Sequence, residues 1–186
     1  MRKRIMCITA YSGGKDEFNA LTAWSGDMRK TARSYARKNH MSDLEWVDKI
    51  FHPESILKRK SRDNDPAEKS LAEVLANEMS DAEAILVVSR SKHPVEFKDL
   101  FWWVDWFTTT KQHSYKNALL EFVFIGEENS YWNYRLRHTL RYAERAGMER
   151  ILPTPLYITG PGEVSHRQLV RELIEKLHQK DLTEAA

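Results

Sequence analysis

A single cysteine, seven glycines and six prolines are spread over 186 residues. One thiol excludes an internal disulfide and suits a reducing compartment. Cys7 lies inside an apolar run, which makes it a core residue rather than a nucleophile. Excess charge is missing too: 29 basic residues against 27 acidic leave a net charge of +2. A nucleic-acid binder carries a basic excess or stripe, and the short basic runs at 1–4 and 58–62 read instead as solvated ends and loops. No apolar run approaches the ~20 residues of a membrane span, and the apolar stretch after the basic start is too short for a secretory leader. The expectation is a cytoplasmic protein that takes neither nucleic acid nor a membrane as partner. The seven histidines lack metal-ligand spacing, so no metal site is expected. Gly-x-Ser-x-Gly and Walker A patterns are absent, and the sequence names no catalytic side chain.

Apolar residues make up 41% of the chain and charged residues 30%, the balance of a globular protein, in a length suited to one domain. Residues 1–182 are expected to form that domain and 183–186 a frayed tail. Short apolar runs at 5–10, 84–89 and 118–125 predict buried strands. The segment 44–51 predicts another by alternation, and 151–159 holds a fifth. Helices are expected over 18–39, with Asp16 or Glu17 as cap and a break or bend at Gly26, and over 66–79 from Pro66. Further helices are expected over 95–107, over 131–146 with Gly147 closing it, and over 165–180, where Leu169, Leu173 and Leu177 fall one turn apart. The polar stretch 54–66 reads as a surface connection. Strands alternating with helices give an α/β fold with a doubly wound, five-stranded parallel sheet and helices on both faces.

In such sheets ligands bind outside the carboxyl ends of the strands, where the strand order reverses. Two loops reach that place. The first carries Ser12, Gly13, Gly14 and Lys15 and opens a helix, so glycine backbone, helix N-terminus and lysine together suit a phosphate. The plainer reading is that Gly13 and Gly14 only make the turn. The second holds Ser89, Arg90, Ser91, Lys92 and His93.

On these residues the whole chain resembles the NADPH-dependent FMN reductase-like branch of the flavodoxin-like proteins. Glu17-Phe18-Asn19 stands where that family has a Ser-Phe-Asn type element. Residues 81–88, Asp-Ala-Glu-Ala-Ile-Leu-Val-Val, are similar to its Ala-Asp-Ala-Ile strand. Pro94, Lys98, Asp99, Asp105 and Trp106 look like its Lys-Asn…Asp-Trp helix, and residues 136–152 like its late helix ending in glycine before a strand. The resemblance implies a flavodoxin-like fold, FMN as cofactor and NAD(P)H as electron donor to a small-molecule acceptor. It places Ser12, Lys15 and the backbone of Gly13, Gly14, Phe18 and Asn19 at the FMN phosphate. It places Ser89, Arg90, Ser91, Lys92 and His93 beside the isoalloxazine, with Arg90 and Lys92 able to stabilise a reduced ring or attract a nicotinamide phosphate. The chain departs from the family at two points. Asp16 and Glu17 would repel a phosphate unless they point away, and the second loop lacks the family's tyrosine and glycine.

Two other readings stay open. Ser12-Gly-Gly-Lys-Asp16 after a strand also resembles the phosphate loop of ATP pyrophosphatases, which would make the protein a nucleotide-binding enzyme using Mg²⁺. A non-catalytic flavodoxin-like interaction module is the third. The cluster Phe101, Trp102, Trp103, Trp106 and Phe107 cannot all face one side of one helix. It combines core packing with a candidate homodimer face, and the resemblance points to a dimer through the same region.

Overall fold

The computed structural model describes residues 3–11, 13–41, 44–52, 71–90, 97–128, 130–158 and 164–184. The surface connection at 54–66, the helix start at Pro66 and the loop residues Ser12, Ser91, Lys92 and His93 lie outside the described residues.

Four long strands run parallel: β1 (Lys3–Ala10), β2 (Leu44–Phe51), β3 (Ala84–Arg90) and β4 (Leu119–Ile125). Their order is β2-β1-β3-β4, so the chain steps outward from β1 to β2 and then crosses back past β1 to β3. The fifth position, beside β4, is filled in two pieces, β5 (Glu149–Arg150) and β6 (Leu156–Ile158). The helices are α1 (Lys15–Lys38), α2 (Leu71–Met79), α3 (Lys98–Thr109), α4 (Ser130–Arg145) and α5 (Val164–Glu184).

Both faces of the sheet are covered, as the continuous apolar runs require. Met6, Ile8, Ile85, Val87, Leu120 and Phe122 pack under α2, α3 and α4. Their neighbours in sequence, such as Ile5, Cys7, Leu86, Val88 and Val123, turn to the opposite face under α1 and α5. The period-two alternation of a strand thus divides one apolar run between two cores.

Three sequence expectations change. Helix α1 is continuous through Gly26 and starts at Lys15, ahead of the expected residue 18. A Cβ on Gly26 would meet nothing within 4 Å. The glycine therefore costs only its propensity of ~1 kcal/mol, which does not break a 24-residue helix packed along one face. Gly14 takes the N-cap position with no side-chain cap, and Asp16 and Glu17 lie in the first turn. Helix α5 runs on to Glu184, into the expected tail. Gly147 closes α4 as expected, at φ +81, with Met148 N–H donating to Ala143 O at 3.1 Å.

The third change is the break in the fifth strand. After Arg150, the Ile151 N–H still donates to Leu120 O at 3.0 Å. Pro153 and Pro155 then lack the N–H a ladder needs. The Glu121 carboxylate, fully buried in β4, bridges the gap. Its Oε2 accepts the Leu152 N–H at 2.7 Å, and its Oε1 accepts the Phe122 N–H at 2.9 Å and Arg150 Nη2 at 2.7 Å. Burial pushes the Glu121 carboxyl above its ordinary range, and Arg150 and the two backbone donors oppose that shift.

Candidate functional site

The reversal of strand order falls between β1 and β3, whose paired register ends at Thr9 and Val88. Beyond it, β1 leads into Tyr11 and the glycine pair that starts α1, while β3 ends at Ser89 and Arg90. Ser89 is buried inside the sheet. By strand alternation Arg90 turns to the α1 side, with half of its side chain exposed.

Gly13, Gly14, Lys15 and Asn19 are exposed along the opening of α1. The first turn of a helix has N–H groups without intrahelical acceptors, and here no described side chain caps them. Among the described residues a Cβ on Gly14 would meet nothing within 4 Å, so the backbone on that side is open to an approaching group. At Gly13 the space is taken: a Cβ there would collide with the carboxylate of Glu17. Asp16 is exposed, but the Glu17 side chain is only 9% exposed, with Arg90 Nε 3.9 Å from Oε1. That oxygen is buried and has no hydrogen-bond partner among the described residues. Among the described residues, the first turn of α1 and the end of β3 thus come together through Glu17 and Arg90.

Tyr11 is a second element of the crevice that residue typing alone did not single out. Its N–H donates to Phe51 O at 3.1 Å, which fixes it at the end of β1 beside β2. Its ring contacts Phe18 edge-on at 5.3 Å and His52 at 5.5 Å. Phe18 remains 37% exposed. An aromatic edge thus borders the glycine loop, and its sequence signal was the placement of Tyr11 and His52 directly after strands.

Beneath the crevice, between α1 and the sheet, lies a polar layer. Ser25 donates to Asp48 Oδ1, as does Trp46 Nε1 at 2.9 Å; Arg29 is 3.7 Å from the same carboxylate. The Cys7 thiol lies 3.8 Å from Ser25 Oγ and 3.7 Å from Thr9 Oγ1. Burial pushes the thiol pKa up to about 12; the Thr9 hydrogen bond opposes this and the Asp48 charge adds to it. Since the thiolate is the reactive species, the folded protein should resist an aromatic disulfide reagent at about pH 8 and titrate one thiol on denaturation. Stoichiometric modification of the folded protein would contradict this placement.

On α3 the aromatic cluster divides. Phe101 and Phe107 are buried, whereas Trp102 and Trp106 are 41% and 46% exposed and stack on each other at 5.8 Å. Asp105, part of the resemblance, is committed to Arg145 of α4 by two bonds of 3.1 and 2.6 Å. It ties two helices together.

Strand order, helix placement and the crevice at the glycine loop define a flavodoxin-like fold. Comparison with solved structures agrees. The chain is similar to an oxidoreductase from Corynebacterium diphtheriae, with a TM-score of 0.58 and 11% identity over 96% of both chains. It is similar to the WrbA-like flavodoxin from Agrobacterium tumefaciens, with a TM-score of 0.50 and 10% identity over 95% of this chain and 96% of that one. It also matches rubredoxin oxygen:oxidoreductase from Desulfovibrio gigas at a TM-score of 0.52 and 8% identity, over 99% of this chain and 37% of the other. No protein-family model and no curated protein matches the sequence. At these identities the likeness is one of fold. Among the described residues, no helix is long and apolar enough to cross a membrane.

The fold raises FMN as a ligand, and the two ends of the crevice answer differently. At one end Phe18 is left 37% exposed beside Tyr11, apolar ring surface next to the glycine pair. A phosphate is opposed at Gly13, where the Glu17 carboxylate fills the space with like charge.

Proposed function

We propose that this protein is a flavin-binding oxidoreductase of the flavodoxin-like type, drawing electrons from NAD(P)H for a small-molecule acceptor. One observation supports it most: at the reversal point of a flavodoxin-like sheet, an uncapped helix start with open glycine backbone stands beside an exposed aromatic edge and Arg90. Protein in such a site binds and orients the ring, and the ring supplies the redox chemistry.

Titration of the protein with riboflavin and FMN, followed by the 350–500 nm absorbance, tests the reading. Saturable perturbation of the band is expected. Stacking on an aromatic side chain contributes ~1–3 kcal/mol, so Phe18→Ala should weaken flavin binding by about tenfold. The exposed position of Phe18 leaves the fold intact. Binding of neither flavin, together with pyrophosphate release from MgATP, would select the nucleotide enzyme instead.

The same reading includes a homodimer through α3. Its support is the stacked pair Trp102 and Trp106, left 41% and 46% exposed; Phe107, in the core, takes no part. Burying a large aromatic stabilises by ~1.5–3 kcal/mol, so a two-fold pair of such rings can anchor an interface. Sedimentation should show a dimer at micromolar concentration and a monomer for the Trp102→Ala, Trp106→Ala double variant. A monomeric parent protein would refute it.

A further inference from the structure

We infer that Glu17 is this chain's own occupant of the anion subsite at the start of α1, so that the crevice selects flavins without a phosphate, riboflavin above FMN. The inference rests on the flavin reading for its ligand, but its physical core does not. A carboxylate is drawn to a helix N-terminus by the partial positive charge there and by the unpaired N–H groups. Glu17 is in that first turn. Its side chain is 9% exposed and lies over Gly13, where only a missing Cβ leaves room for it. Oε1 is buried without a hydrogen-bond partner among the described residues, and Arg90 lies 3.9 Å from it. A negatively charged, buried group thus lies over Gly13, and a phosphate brought to that place would meet like charge. The phosphate would have to expel it and leave Arg90 to change partners. A ligand ending in a neutral ribityl hydroxyl carries no charge for Glu17 to repel and meets no such cost.

Two measurements on the full chain separate this inference from the flavin reading. The first uses inorganic phosphate alone, against sodium chloride of equal ionic strength, and reads the melting temperature. The parent should show no phosphate-specific shift. Glu17→Ser, which empties the space over Gly13, should rise by about 3 °C or more at phosphate well above its dissociation constant. The double variant Glu17→Ser, Arg90→Met should lose that gain. The second titrates riboflavin and FMN. The parent should bind riboflavin at least as tightly as FMN, and Glu17→Ser should gain tenfold or more for FMN while riboflavin is unchanged, the effect of one charge-assisted contact restored. A parent stabilised by phosphate as much as the variant overturns self-occupancy, as does an FMN preference of tenfold in the parent with no gain in the variant. If Glu17→Ser gains phosphate while neither protein binds a flavin, self-occupancy stands and the flavin reading falls. If the parent binds flavin and the variant gains nothing from phosphate, the reverse holds.

Discussion

Arg150→Met should destabilise the fold by about 3–5 kcal/mol at neutral pH. Arg150 is the cation beside Glu121, a carboxylate with no solvent exposure, at 2.7 Å. Removing the guanidinium leaves that charge in the sheet with two backbone N–H donors, from Phe122 and Leu152. The pH dependence has a definite sign. Glu121 already titrates above its ordinary value because burial disfavours its charge, with Arg150 as the main opposing influence. Without Arg150 the folded value rises further. A carboxyl raised in the folded state contributes stability below its unfolded pKa and loses it as pH rises through the folded one. The gap between parent and variant should therefore be small near pH 4, about the unfolded carboxyl value, and widen toward pH 7. Urea unfolding of both proteins across that range measures it. A gap independent of pH would show that the lost energy is packing rather than an unpaired charge.

Phe122→Ala should cost a similar ~3–5 kcal/mol, and in a domain of this size a melting-temperature loss of roughly 6–20 °C. Phe122 is 1% exposed in the centre of β4, with its ring 5.5 Å from Phe101 and 6.5 Å from Phe97. It joins the sheet to α3, so its loss opens a cavity that rigid strands cannot collapse into. Because Glu121 sits on the other face of the same strand, the Phe122 effect should not vary with pH. Thermal unfolding at two pH values distinguishes the two. Less than about 1 kcal/mol for Phe122→Ala would mean that the α3 layer is not packed as described.

The crevice divides in the same way between what is local and what is not. Ser12 to Lys15 and Ser89 to His93 stood out because glycine pairs and polar residues directly after apolar runs mark strand ends. The sequence also flagged Asp16 and Glu17 as a charge conflict with a phosphate. Which carboxylate turned inward depended on where Arg90 emerged from β3 and on the room left by Gly13. Neither can be read along one chain segment. Tyr11 and His52 likewise meet only because β1 and β2 end side by side.

Local pattern decided the rest of the fold. Continuous apolar runs at 5–10, 84–89 and 118–125 pointed to strands covered on both faces, and the alternation with helices pointed to parallel pairing. Gly147 marked the end of α4 because a helix closes through a left-handed residue that glycine adopts without strain. The tertiary structure alone decided the pairing of Glu121 with Arg150, the break it spans between β5 and β6, and the seating of Glu17 against Arg90. Each depends on how elements distant in sequence are set against one another. A buried charge is tolerated only where that arrangement delivers its partner, and no local pattern carries that information.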